Sequence, residues 1–208
     1  MVKVMIAGIT NYEDALSATN LGTDFIGFTL IKESPKKVSD KMLKEVNEKL
    51  PPFVLAVATV ENLDQKQVTK IIKKADLKAI CLNGNETPEF CKALSVALGI
   101  KIFKSFEFTK ESDILSMQPY VGSIDYFIIN LTDKDDVGNT IVNIELLKKI
   151  NQLNVPFFIS GNFSAEKISE ITDQVNPFGM IADESVERLQ RRKDFNKMAD
   201  FIKNVHSL

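Results

Sequence analysis

Histidine and cysteine are scarce in this sequence of 208 residues, and tryptophan is absent. The one histidine, His206, falls at the end of the predicted last helix, which excludes a Ser-His-Asp triad, a Cys-His pair or a site with several histidines. Cys81 and Cys91 are too few for a zinc ligand set or a disulfide framework. We therefore predict no metal and no cofactor. Any chemistry must come from carboxylates, lysines, amides, hydroxyls or a lone thiol.

Neither sign of charge is in excess, and long hydrophobic runs are missing. The 26 Lys and Arg residues oppose 28 Asp and Glu residues, so no basic surplus exists to bind nucleic acid. The apolar runs are short and broken by Lys, Asn or Gly, so we expect no membrane-spanning segment. The opening residues 1–6 lack the long apolar stretch of a signal peptide. We expect a cytoplasmic protein with neither nucleic-acid nor membrane partners.

Short β-rich apolar runs alternate with longer amphipathic runs along the whole chain. Eight such runs, spaced by roughly 22 to 30 residues, begin near Lys3, Phe25, Phe53, Ala79, Lys101, Tyr126, Pro156 and Gly179. Several are almost continuously apolar, which is typical of parallel strands buried on both faces. No linker divides the chain. The pattern predicts an α/β protein with one domain over residues 1–208, a single (βα)8 TIM barrel. An open doubly wound sheet is the alternative, but a glycine-rich nucleotide loop is missing.

Helix-start signals lie between the predicted strands. Thr10 with Glu13, and Asn62 with Gln65, have the spacing of capping boxes. Further predicted N-caps are Ser39, Thr87, Asn143 and Ser164. The basic run Arg188, Arg191 and Arg192, near the last helix, is interpreted as an exposed helical face, with an interaction patch as the alternative.

In a (βα)8 barrel, functional residues lie at the carboxyl ends of the strands and in the loops that follow. We therefore predict a small-molecule ligand at this end, which we call the mouth. Strand order places the following residues there as candidate ligand-binding residues: Thr29, Lys36, Cys81, Asn83, Gly161, Asn162, Asp183 and Glu184.

The segments in these places resemble, in collinear order, the phosphoribosylanthranilate isomerase family of tryptophan biosynthesis. The resemblance rests on residues 3–15 (KVMIAGITNYEDA), Gly27-Phe28, Ser34-Pro35-Lys36, residues 50–54, Leu82-Asn83-Gly84, Val186-Glu187 and Lys193-Asp194. It implies a TIM barrel and an isomerase. The implied reaction is an Amadori rearrangement that uses one general base and one general acid.

The sequence departs from this family where the chemistry is expected. Ala7 stands in the place of the family's cysteine base, and Asn130 in the place of its aspartic acid. The family's glycine-rich phosphate cradles are replaced by Gly161-Asn162 and by Asp183-Glu184-Ser185. Lys36 replaces an arginine, and Asn83 replaces a histidine. We interpret the chain as a diverged member with little or no isomerase activity, whose ligand need no longer be a phosphate ester.

Two alternatives remain open. In the first, the chain is an active isomerase in which Cys81, Asp183 or Glu184 replaces the family's missing base and acid. In the second, it is a pseudoenzyme whose barrel only binds a ligand or a protein. For Cys81, we favour the other interpretation, a small buried hydrophobic residue in the packed barrel interior. The carboxylates Asp183, Glu184, Asp133, Asp135, Asp136 and Glu107 either form an acidic mouth for a cation or are solvated loop residues. A monomer or a homodimer fits the sequence.

Overall fold

Eight parallel strands close into one barrel in the computed structural model, which describes residues 1–206. Neighbouring strands are consecutive in sequence from the first to the eighth, and the eighth pairs with the first. The strands are β1 Lys3–Ile6, β2 Phe25–Thr29, β3 Leu55–Val60, β4 Ala79–Leu82, β5 Lys101–Glu107, β6 Tyr126–Asn130, β7 Phe157–Ser160 and β8 Gly179–Ala182. The predicted (βα)8 barrel is confirmed.

Each strand is followed by a helix that covers the outside of the barrel. The helices are α1 Tyr12–Asn20, α2 Asp40–Asn47, α3 Gln65–Ala75, α4 Pro88–Leu98, α5 Asp113–Met117, α6 Ile144–Ile150, α7 Ala165–Val175 and α8 Phe195–His206. Their buried stripes, such as Val68 and Ile72 on α3, pack against the outer face of the sheet. Within residues 1–206, no helix combines the length and the apolar character that crossing a bilayer requires.

Four of the predicted helix starts are confirmed by side-chain caps, namely those at Ser39, Thr87, Asn143 and Ser164. In each case the side chain accepts a hydrogen bond from the backbone amide three residues later. These starts depend on local sequence alone.

The other two predicted starts are wrong because distant residues engage the expected caps. Thr10 donates its hydroxyl hydrogen to the carbonyl oxygen of Arg191, so the next residue, Asn11, caps α1. Asn62 adopts a left-handed conformation with φ 51°, and its side chain accepts from the amide of Asn85. Asp64 therefore caps α3.

Aromatic side chains fill the lower part of the barrel. Phe25 and Phe158 meet edge to face with ring centroids 5.2 Å apart, and Phe103 stacks on Tyr126 at 4.6 Å. Gly179 leaves room for this cluster, because a Cβ there would lie 2.3 Å from the ring of Phe158. The amino-terminal half of the barrel interior is thus a closed core. Open space in the barrel interior remains at the other end, the mouth.

A short hairpin follows β8 and leads into α8. It consists of β9 Glu187–Leu189 and β10 Arg192–Lys193, joined through Arg191 in a left-handed conformation. The basic run therefore lies on a hairpin, and its predicted helical face is wrong. The hairpin returns Lys193 beneath the end of β8.

Candidate functional site

A cavity of about 220 Å³ opens at the mouth of the barrel. Ala7 and Asn130 line it, together with five of the predicted ligand-binding residues: Thr29, Lys36, Cys81, Asn83 and Asp183. Gly161, Asn162 and Glu184 lie outside this lining. Alternation along each strand explains the arrangement, because inward-facing positions recur every second residue.

Three hydroxyl side chains that we did not single out also line the cavity: Thr59, Ser105 and Ser160. Each lies in the inward-facing row of its strand, and Ser105 accepts a 2.7 Å hydrogen bond from the side-chain amide of Asn130. Extending the two-residue alternation from Cys81 and Asn83 to every strand would have identified them.

Ala7 and Asn130 contribute a methyl group and a neutral amide to the cavity wall. Ala7 is packed tightly against β2, since a Cβ on Gly27 would lie 2.9 Å from the Cα of Ala7. Neither side chain can exchange a proton near neutral pH. The ionisable side chains in the lining are Lys36, Cys81 and Asp183.

The Cys81 thiol is held in its protonated form. Burial raises its pKa to about 12, while a hydrogen bond with Thr59 and the charge of Lys104 oppose this only in part. The residue is 2% exposed and packs among the apolar side chains of the barrel interior. Cys91 on α4 is also buried, and burial raises its pKa to about 11. Both cysteines therefore have the properties of packing residues.

A cluster of four charged side chains closes one side of the mouth; we call it the ion cluster and define it as Lys36, Asp183, Glu187 and Lys193. Oδ1 of Asp183 lies 2.7 Å from Nζ of Lys36 and 2.9 Å from Nζ of Lys193. Oε1 of Glu187 lies 3.0 and 3.2 Å from the same two nitrogens. The two positive and two negative charges balance.

The ion cluster is largely removed from solvent. The side chain of Lys193 is 0% exposed, and that of Lys36 is 8% exposed. Burial alone would raise the pKa of Asp183, but the attraction of Lys193 and Lys36 outweighs it and holds that pKa below its ordinary value. Burial would likewise lower the pKa of Lys36, but its bonds with Asp183 and Glu187 raise it overall. Asp183 and Lys36 are thus both charged at neutral pH.

The loop ends of β7 and β8 differ from a glycine-rich phosphate cradle. The amide of Asn162 donates a 2.7 Å hydrogen bond to the hydroxyl of Thr140, in the loop after β6. The ring of Phe163 covers Gly161, where a Cβ would lie 2.4 Å from it. After β8 the chain forms only a three-residue 3-10 turn, Glu184–Val186. These ends therefore lack the open glycine-rich cradle that binds phosphate at a helix N-terminus.

Glu184 and Asp135 lie at the edge of the ion cluster or outside it. Glu184 is 76% exposed, and its carboxylate lies 3.8 Å from Nζ of Lys36, farther than those of Asp183 and Glu187. Asp135 instead accepts hydrogen bonds from amides of its own loop, at Val137 and Asn139. In the part of the chain that the structure describes, no three His, Cys, Asp or Glu side chains are grouped to hold a metal ion.

A second buried ion pair lies outside the barrel interior, between Lys104 and Glu86. Their closest N–O distance is 3.4 Å, and both side chains are 3% exposed. Lys104 also donates to the carbonyls of Leu82 and Gly84, and Glu86 accepts from the amides of Asn62 and Gly84. This pair joins the ends of β3, β4 and β5 and so fixes the rim that carries Asn83.

A larger depression of about 580 Å³ lies at the opposite, amino-terminal face, lined among others by Asn154, Asp173 and Asn176. Active sites of (βα)8 barrels lie at the carboxyl ends of the strands. Because the predicted residues converge at the mouth, we take the mouth as the candidate site despite its smaller volume.

Comparisons with known proteins match almost the whole chain to the family that the sequence resembles. The family model described as N-(5'phosphoribosyl)anthranilate (PRA) isomerase matches residues 4–204. The N-(5'-phosphoribosyl)anthranilate isomerase of Petrotoga mobilis is 29% identical over 100% of this chain and 99% of its own length. That of Thermotoga neapolitana is 30% identical, with 100% of both chains covered. The crystal structure of the Thermotoga maritima enzyme superposes with a TM-score of 0.90 at 27% identity, again covering 100% of both chains.

Proposed function

The chain belongs to the N-(5'-phosphoribosyl)anthranilate isomerase family, and on that premise we propose that it keeps a ligand-binding mouth but has little or no isomerase activity. The observation that carries the proposal is the pair Ala7 and Asn130 in the cavity wall. The resemblance assigns these two places to the base and the acid of the Amadori rearrangement. A methyl group and an amide cannot remove a proton from C2 or open the ribose ring by protonation.

The loss of both groups is expected to be severe. General acid or base assistance contributes roughly 10²- to 10⁴-fold for each group. A barrel without either group retains at most the contributions of binding and orientation.

The candidate replacements for the base and the acid are poorly suited to these roles. Cys81 has a pKa of about 12, so almost no thiolate is present at neutral pH to act as base. Asp183 is held as a carboxylate by two lysines, so it is not a proton donor. Glu184 points into solvent and does not line the cavity. An active isomerase with relocated groups is therefore the less supported alternative.

The expected phosphate end of the site is altered as well. The carboxylates of Asp183 and Glu187 together neutralise Lys36 and Lys193, and the amide of Asn162 already has an acceptor in Thr140. A phosphate dianion in the cavity would meet one lysine, Lys36, whose charge is already paired, and no glycine-rich cradle. This supports a ligand other than the family's phosphate ester.

The test is the loss of phosphoribosylanthranilate fluorescence in the presence of the purified protein. We expect no loss beyond the buffer rate with the wild type. The Ala7→Cys/Asn130→Asp variant restores both family groups, and Ala7→Ser/Asn130→Asp is its matched control without a thiol. Activity confined to the first variant would mean that substrate binding survives without its acid and base, and inactivity of all three would mean that binding is lost too. Turnover by the wild type would refute the proposal.

A further inference from the structure

The cavity wall combines an uncharged polar rim with an apolar floor. Six strands contribute the rim, which we define as Thr29, Thr59, Asn83, Ser105, Asn130 and Ser160. The floor is formed by Met5, Val57, Ile128 and Ile181. Hydroxyl and amide groups both donate and accept hydrogen bonds, so the rim suits a ligand whose own groups do both.

The two charged side chains that line the cavity, Lys36 and Asp183, are paired with one another. Oδ1 of Asp183 contacts both Lys36 and Lys193, as described above. Within residues 1–206, no hydrogen bond reaches Oδ2 of the same carboxylate. The cavity lining thus offers one charged acceptor atom, and its cation, Lys36, is already paired with a carboxylate.

The size of the cavity suits such a ligand. Its volume of about 220 Å³ accommodates one small ring or a short open chain.

From these features we infer that the mouth binds a small uncharged polyol, such as an unphosphorylated pentose. Hydroxyls of the ligand donate to Oδ2 of Asp183 and exchange hydrogen bonds with the rim, and its C–H face packs on the apolar floor. The inference rests on the proposed function, because it assumes that the mouth no longer serves the isomerase substrate.

The test measures binding by calorimetry and ligand-observed NMR, with D-ribose, D-ribose 5-phosphate and inorganic phosphate as probes. We expect wild-type protein to bind D-ribose and to bind D-ribose 5-phosphate at least tenfold more weakly. The added dianion would meet Asp183 and Glu187 without a free lysine to oppose them.

The variant Asp183→Asn is expected to reverse this preference. It removes the charged acceptor, so D-ribose binding should fall about tenfold or more. It also leaves Lys36 and Lys193 with Glu187 as their one close carboxylate, so inorganic phosphate binding should appear. Glu33→Gln is the matched control: it removes one negative charge from the exposed loop that carries Lys36, outside the cavity lining, and should change neither.

A second variant covers the case in which Asp183→Asn does not fold. Asn83 is exposed at the rim, and Asn83→Ala should weaken D-ribose binding roughly threefold or more while the fold is kept. Unchanged binding in Asn83→Ala would overturn the inference. So would wild-type protein that binds no D-ribose, or that binds D-ribose 5-phosphate as tightly as D-ribose. Isomerase turnover, measured separately, bears on the proposed function, so the two failures are distinguishable.

Discussion

Lys193→Met tests whether the ion cluster stabilises the barrel. The side chain of Lys193 is 0% exposed, and its Nζ lies 2.9 Å from Oδ1 of Asp183, 2.9 Å from the Asp183 carbonyl oxygen and 3.2 Å from Glu187. Methionine preserves most of the apolar stem but removes the charge. Breaking a buried ion pair on one side costs about 3–5 kcal/mol, because the partner charge is left uncompensated.

We expect the lower end of that range for this substitution. Asp183 keeps its 2.7 Å contact with Lys36, and its side chain is 38% exposed, so water can replace part of the lost interaction. A loss of about 3 kcal/mol corresponds to a melting temperature lower by roughly 6–12 °C in a domain of this size. Urea unfolding followed by circular dichroism measures the free energy, since the chain contains no tryptophan.

Lys66→Met is the matched control, because Lys66 is an exposed residue of α3. It should change the free energy of unfolding by no more than about 0.5 kcal/mol. A double-mutant cycle with Asp183→Asn should give a coupling of about 1 kcal/mol or more, since the two residues are in direct contact. If Lys193→Met is as stable as the control, the ion cluster does not stabilise the barrel and the reasoning is refuted.

Two further predictions follow from the pKa shifts. The pKa of Asp183 is below its ordinary value of 3.8, so its stabilising contribution is present above that value and is lost as the pH falls through the lower folded-state pKa. The stability difference between wild type and Asp183→Asn in urea should therefore shrink below about pH 4 and be constant near neutrality; a difference that persists unchanged at low pH would contradict the assignment. The buried Cys81 thiol, with a pKa of about 12, should resist dithionitrobenzoate at about pH 8 until the protein is unfolded; rapid labelling of the native protein would show that the thiol is accessible.

The barrel was predictable because its determinants are local and repeated. Each strand is a short apolar run, each covering helix carries an apolar stripe, and most helices begin at a side chain that caps its own first turn. These signals need no knowledge of distant contacts. The start of β3 shows the limit: it lies at Leu55, two residues after the predicted Phe53, which is 76% exposed in a turn.

Local reasoning failed where a distant residue competes for a group. Thr10 and Asn62 have suitable cap chemistry, yet their side chains bond to Arg191 and Asn85. The competing partners come from loops that meet only when the barrel closes. The same limit applies to Lys104 and Glu86, whose pairing depends on the adjacency of β4 and β5.

For the mouth, strand order and alternation were sufficient to place Ala7, Cys81, Asn83 and Asn130 around one opening. The sequence by itself therefore determined the fold, the family resemblance and the uncharged character of Ala7 and Asn130. Only the tertiary structure decided the charge state of the mouth. Closure of β8 onto β1 and the hairpin after β8 bring Lys36 and Lys193 to one carboxylate, although Lys36 and Asp183 are 147 residues apart. Pairing of buried charges depends on distances in space, which the order of residues along a chain does not specify.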